Sequence, residues 1–248
     1  MRTIGLLGGM SFEGSATYYR LINEGVRNRQ GGLNSAELIL RSVNFNTIVQ
    51  WQQADRWDEA GRYLADAAKS LERAGADCIM ICAVTLHLVA DAVAGAVDIP
   101  FIHIIDETAR SMIDAGCRKP LLIATRYTME QGFYQQRMSR QGISVLVPSE
   151  ADRSTTHAII FDELCQGKIL DASRSALSRM IEEGKANGAD SVIFGCTEIG
   201  LILDSAALPL PAFDSTLIHA EAAVRFGLGV AATSQNDAAL PAGGHVQR

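Results

Sequence analysis

Cys82 and Cys196 occupy matching places in two similar phrases. The first, GADCIMICAVT, covers residues 75–85, and the second, GADSVIFGCTEIG, covers residues 188–200. In each, a short apolar run ends in a cysteine, and a threonine follows within three residues, Thr85 or Thr197. Such a run, closed by small polar residues, reads as a buried parallel strand feeding a helix. Ligands of open α/β sheets bind beyond the carboxyl ends of the strands, so both thiols are expected where chemistry happens. A thiolate is a competent base once its pKa approaches the working pH, and the positive end of a following helix is expected to lower each thiol's pKa. Two facing thiols suit the transfer of a proton from one face of a carbon to the other. One thiolate removes a proton, the other thiol delivers one, and the next turnover runs in reverse. Thr85 and Thr197 are close enough to hydrogen-bond the sulfur or a substrate carboxylate. Glu198 can assist proton movement beside Cys196; its bland role is a first-turn carboxylate at a helix start.

The elements that must aim these thiols repeat. The cysteines lie 114 positions apart, and IGLLGGM, from Ile4, is echoed by LLIATRYTM 117 positions later. Two similar halves follow, each offering one thiol at a strand end. Strands are expected at 3–7, 36–43, 101–105, 121–124, 143–147 and 208–213, besides the two that carry the cysteines. Pro209 and Pro211 mark 208–213 as an edge strand. Helices are expected from Ser11, its N-cap, to 28, and over 57–74, 86–94, 129–141, 157–166 and 172–187. Asp106 is expected to cap a helix running to 115, and Asp214 one over 215–226 that crosses back onto the first half. Residues 44–57 read as a substrate loop. The turn Gly8-Gly9-Met10-Ser11 lacks the GxGxxG spacing, so no dinucleotide is indicated. Binding of another anion there stands level with a turn that is merely tight. The domain assignment is 1–100 plus 208–228 for the first subdomain, 101–207 for the second, and 229–248 for a mobile tail.

The whole chain bounds the partners. Its 248 residues can bury a large core. A net charge of −6 without a basic stripe argues against nucleic acid and anionic membranes as partners. No apolar stretch is long enough to span a bilayer, and MRTIGLLGGM is too short in its apolar part for a signal peptide. Five cysteines without paired spacing argue for a reducing, cytoplasmic setting. Neither CxxC nor His-x-x-x-His spacing occurs, so no metal is expected. Cys78, Cys117 and Cys165 are taken as inert buried thiols. His87 reads as a packing residue, His103 and Asp106 as a junction pair for which a hinge or crossover role stands level with a catalytic one, and His219 as part of the Asp214 capping network. Arg126 is the basic residue best placed to meet a side-chain carboxylate, ahead of Lys168; Trp51 and Trp57 read as packing residues, with a place for Trp51 in the pocket beside Gln52 as the alternative.

IGLLGGM, the C-x-x-T-x-H segment from Cys82 to His87, TRYTM at 125–129, GCTEIG at 195–200 and FDSTLIHAEAAV at 213–224 together resemble the aspartate/glutamate racemase family. More narrowly they are similar to the broad-specificity amino-acid racemases of enteric-type bacteria. The resemblance covers the chain to about residue 228. It implies an α/β fold of two pseudo-symmetric Rossmann- or flavodoxin-like subdomains with mainly parallel sheets and the active site in the cleft between them. It implies a cofactor-independent, two-base racemase of an acidic amino acid, aspartate or glutamate, and a homodimer. The catalytic pair maps onto Cys82 and Cys196. Substrate contacts map onto Met10, Gln52, Ala83, Val84, Thr85, Thr125, Thr197 and Glu198.

One departure stands out. The family carries asparagine where this chain has Val84, and that amide holds the substrate α-carboxylate. A valine cannot donate, and an unmatched polar partner in a dry pocket costs about 1–3 kcal/mol. Asn44 replaces an aspartate common in relatives. Rival expectations keep the fold and change the reaction (hydantoin racemase, maleate isomerase or arylmalonate decarboxylase types), or drop catalysis for ligand binding. A thiol–disulfide oxidoreductase is a poor third, since thiols that flank a substrate stand too far apart to bond.

Overall fold

The computed structural model describes residues 1–230; most of the expected tail, 231–248, lies outside the described residues. The first half contains β1 (Ile4–Gly8), α1 (Phe12–Gln30), β2 (Leu38–Ser42), α2 (Phe45–Gln53), α3 (Trp57–Arg73), β3 (Cys78–Ile81), α4 (Ala90–Ala94) and α5 (Ile104–Asp114). The second contains β4 (Pro120–Ala124), α6 (Arg126–Glu130), α7 (Phe133–Ser139), α8 (Glu150–Ala158), α9 (Asp171–Ala186), β5 (Ser191–Gly195), α10 (Ile199–Ile202), β6 (Ala212–Asp214) and α11 (Ser215–Leu228).

Two parallel three-stranded sheets result, ordered β2-β1-β3 and β4-β5-β6. Single bridges extend them, Ile79 to Phe101 beside β3 and Leu121 to Leu146 beside β4. With these bridges both halves share one strand order, so the duplication in sequence is a duplication in space. The central strands are buried along their whole length, as strands covered on both faces must be.

Several expected elements take other forms. The strands expected at 101–105 and 143–147 shrink to the two bridges, because α5 begins only three residues after Phe101 and Pro148 closes the other run. Residues 44–57 are largely helix rather than loop: Asn44 accepts from the Asn46 N–H and starts α2. The helix expected over 129–141 is broken at Gly132, whose φ of 77° is left-handed. His103, not Asp106, caps α5, its ring accepting from the Ile105 N–H. Asp106 instead holds Arg137 through two hydrogen bonds of 2.7 and 2.6 Å.

Strand β6 pairs with β5, so residues 212–214 belong to the second sheet and not to the first subdomain with which 208–228 was grouped. The helix after it does cross back. Ala220, Ala223 and Val224 of α11 pack with Ile4, Leu6, Tyr18 and Ile22 of the first half. Reciprocally, Ile104, Ile105, Ala109 and Met112 of α5 pack with Leu122, Ala124, Ile193 and Phe213 of the second. Each half therefore lends its last helix to the other. Glycine makes one contact possible: a Cβ on Gly25 of α1 would stand 2.7 Å from Val224 Cγ2.

Candidate active site

The carboxyl ends of β1, β3, β4 and β5 meet at one cleft. It is lined from the first half by Met10, Ser11, Gln52 and residues 83–86, and from the second by Thr125, Cys165 and residues 195–198. Phe45 and Phe161, one from each half, stack at its edge with ring centres 6.4 Å apart and planes 20° from parallel.

The first wall is the turn after β1. Ser11 caps α1 by accepting from the Gly14 N–H at 3.1 Å. Ser15 Oγ accepts from the Gly9 N–H at 2.7 Å and donates to the Ser11 carbonyl at 2.8 Å. The turn's Gly9 N–H is thus used internally, which favours the tight-turn reading over anion binding. Gly9 has φ 94°, and a Cβ there would meet the Val43 carbonyl at 2.2 Å, so glycine is required. Gly14 has a different reason: a Cβ on it would stand 2.9 Å from Thr197 Oγ1 across the cleft.

The second wall centres on Glu198, which is 4% exposed. Its carboxylate accepts from Ser11 Oγ at 2.9 Å, from Cys196 Sγ at 3.0 Å and from Thr197 Oγ1. The first of these bonds ties the two halves together. Facing it, the hydroxyls of Thr85, Thr125 and Thr128 form a ring with edges of 2.9, 2.9 and 3.1 Å. Gln52 is buried with its Oε1 unpartnered and belongs to the lining, so the cleft holds an acceptor with nothing to accept.

The thiols differ from expectation. Burial pushes both up, not down; for Cys196 the neighbouring Glu198 carboxylate adds to the rise. The helices that follow them are a 3-10 turn, Thr85–Val89, and the four-residue α10, too short to offset desolvation. Cys196 lines the cleft. Cys82 does not: it is fully buried and packs with Leu6, Tyr18 and Met80, while its chain neighbours Ala83, Val84 and Thr85 face the cleft.

The remaining expected contacts, Met10, Gln52, Thr125, Thr197 and Glu198, converge on the same space. Arg126 does not; its side chain is exposed, as is that of Lys168. Trp51 takes the packing role expected of it, edge-on against Tyr63 5.4 Å away, and is not in the cleft lining. Cys165, set aside as inert, borders the cleft and is only half-buried. Phe45, Ile160 and Phe161 carried no motif; Ile160 and Phe161 fall in a single π-helical turn, Ile159–Glu163, which no periodicity marks.

Behind Cys82 lies a cluster of buried imidazoles. His87 stands 4.7 Å from His103 and 5.8 Å from His219, ring centre to ring centre. His219 Nε2 faces the Ile102 carbonyl at 2.9 Å, so it carries the proton. Its Nδ1 therefore accepts from the Tyr18 hydroxyl at 2.9 Å. His219 thus links α11 to α1 and has no part in the Asp214 cap, which bonds the Thr216 and Leu217 N–H groups. His87 donates from Nδ1 to the Ala83 carbonyl, 3.0 Å away, which steadies the turn after Cys82. Burial holds all three imidazoles neutral, His103 and His219 at about 3. Among the described residues no group of three or more His, Cys, Asp or Glu side chains is arranged to hold a metal, and no helix is long and apolar enough to cross a membrane.

A duplicated α/β scaffold, a cysteine at the matching strand end of each half and one cleft where the halves meet define the class of protein to compare. The Asp/Glu/Hydantoin racemase family model matches residues 7–223, and the chain belongs to that family. It is 45% identical to a Yersinia pestis protein described as a candidate Asp/Glu racemase, over 92% of this chain and all of that one, with a TM-score of 0.86. An aspartate racemase homologue from Pyrococcus horikoshii is 33% identical over the same shares, with a TM-score of 0.81. The broad specificity amino-acid racemase RacX of Bacillus subtilis is 25% identical over 167 residues, 67% of this chain and 72% of that protein. The protein is thus a racemase, an isomerase of amino acids, and independence from pyridoxal phosphate fits the family.

Proposed function

We propose that the protein interconverts the L- and D-forms of an amino acid by a two-thiol, cofactor-independent mechanism. The observation that carries this is the convergence on one cleft of the strand end that bears Cys196 and the segment that directly follows Cys82. Cys196 hands its S–H proton toward Glu198 and becomes the base. It takes the proton from one face of Cα, and the Cys82 thiol, kept protonated by burial, gives its own proton to the opposite face. The cysteines have then exchanged states, and the reverse reaction resets them. The substrate carboxylate meets Thr85, Thr125 and the backbone N–H groups that start the 3-10 turn, which supplies preorganised donors where charge develops. Cys82 is sealed in the resting form, so entry of substrate parts the halves at the Phe45–Phe161 stack.

Single replacements Cys82→Ser and Cys196→Ser test the scheme. Each is expected to lower racemisation, followed by circular dichroism, about 10²–10⁴-fold. Loss in only one variant contradicts two-base catalysis. The enclosure of Cys82 favours one second reading, a one-thiol reaction on the same fold, in which Cys82→Ser stays active. The family's habit supports a homodimer, to be checked by light scattering, and five free thiols support a cytoplasmic setting. The expectation of aspartate or glutamate rests on the resemblance and the family's description; among the described residues the cleft lining holds no lysine, arginine or histidine.

A further inference from the structure

A second cavity, of about 120 Å³, opens where the 3-10 turn Thr85–Val89 and α4 face the start of α5 and the helix α7. One water needs only about 10–15 Å³, so a solute of several heavy atoms has room. The cavity shares no lining residue with the catalytic cleft.

Its polar groups differ in charge and stand unpaired. Arg137 lines it but gives Nε and Nη2 to Asp106, which neutralises that guanidinium. Arg140 and Asp91, also in the lining, form no side-chain hydrogen bond or ion pair with any described residue. One positive and one negative group thus border the same space without meeting. The third group is His103, only 7% exposed. Its Nδ1 accepts from the Ile105 N–H, so the neutral ring carries its proton on Nε2. That N–H has no acceptor among the described residues, and the residue lines the cavity. A buried donor left unmatched is costly.

We propose that this cavity binds a free α-amino acid as a zwitterion, its carboxylate on Arg140 and the His103 Nε2–H and its ammonium on Asp91. A simple anion would use the two donors and be repelled by Asp91; a simple amine would use Asp91 and be repelled by Arg140. A ligand with both charges a few bonds apart satisfies all three groups. Glycine and alanine suit a cavity of this size. The binding does not rest on the racemase reading, but its consequence does. His87 lines this cavity and donates from Nδ1 to the Ala83 carbonyl, beside Cys82. Occupancy therefore bears on the turn that lines the catalytic cleft, and the site is regulatory.

Nitrogen-15 histidine NMR of the full chain tests the site, with the His103 Nε2 signal followed as glycine is added. The expected result is a saturable shift in the millimolar range or below. Asp91→Asn and Arg140→Gln, both at exposed positions, are each expected to weaken binding at least about tenfold. N-acetylglycine, which lacks the ammonium, methylamine, which lacks the carboxylate, and inorganic phosphate are each expected to bind at least about tenfold more weakly than glycine. No saturable shift overturns the site. Binding of phosphate or N-acetylglycine equal to that of glycine overturns the zwitterion and leaves a plain anion pocket. Racemisation at saturating substrate separates this site from the cleft, because a competitor in the cleft leaves kcat unchanged. Added glycine is expected to shift kcat of the wild type and not that of Arg140→Gln. A kcat indifferent to glycine in both proteins overturns the regulatory role, whatever the NMR shift shows.

Discussion

Glu198 gathers three donors and, among the described residues, no cation. Its carboxylate disfavours a second negative charge on Cys196, and the hydrogen bond holds the S–H proton. Glu198→Gln removes the charge, so the pH midpoint for iodoacetamide alkylation of Cys196, measured in a Cys165→Ala background, is expected to fall; a midpoint that stays or rises contradicts the assignment. The same variant is expected to lose about 10²-fold in kcat, because the proton acceptor is gone. Val84 makes the opposite case. It is 4% exposed and borders the cleft where a donor would serve the α-carboxylate. Val84→Asn supplies an amide, and kcat/KM is expected to rise about tenfold or more, measured on the best substrate found. The sequence made Glu198, Val84 and both cysteines visible through motif position. It could not reveal that burial outweighs the helix ends in setting the thiol pKa, because desolvation depends on neighbours distant in the chain.

At the scale of elements, the start of α1 and the turn before α10 touch across the cleft. Ser11 bonds Glu198 over 187 positions of sequence, and Gly14 leaves room for Thr197. Gly14→Val forces this contact apart. It is expected to cost about 1–3 kcal/mol by overpacking, seen as a lower Tm, and to lower kcat by displacing Thr197 and Glu198. An unchanged kcat would separate the contact from function. Ser11 was legible as a cap from the turn chemistry alone; its second bond was not, since nothing local records it. The break at Gly132 and the π-helical turn that carries Ile160 and Phe161 were likewise illegible. Both depart from the 3.6-residue period on which a helix is recognised.

At the scale of the molecule, the exchanged helices α5 and α11 bind the halves together and enclose His103 and His219. Both imidazoles are held down at about 3, against about 6.5 in an unfolded chain. Between those values the unfolded state binds more protons, so the stability these groups contribute is whole above pH 6.5 and declines as pH falls. At pH 5 the loss is up to about 2 kcal/mol for each. Asp214, raised to about 6 by burial, works the other way: its folded form binds the proton more readily, which offsets part of the loss below pH 6. Net stability from urea unfolding is expected to fall from pH 7 to pH 5, and His219→Gln is expected to flatten that slope. A slope unchanged in the variant would show that His219 contributes nothing to it. Most of the exchange was legible: the return of the last helix was expected and 101–207, which holds α5, was grouped with the second half, whereas the pairing of β6 with β5 was not expected.

The sequence by itself determined the duplication, the buried strands, the two cysteines at matching strand ends and the family, because these rest on local apolar runs and on motifs within a dozen residues. Only the tertiary structure decided which groups share the cleft, that Cys82 is sealed while Cys196 is open to it, and that among the described residues no lysine, arginine or histidine lines it. Those are facts about charge and solvent access, and both depend on what long-range packing brings close.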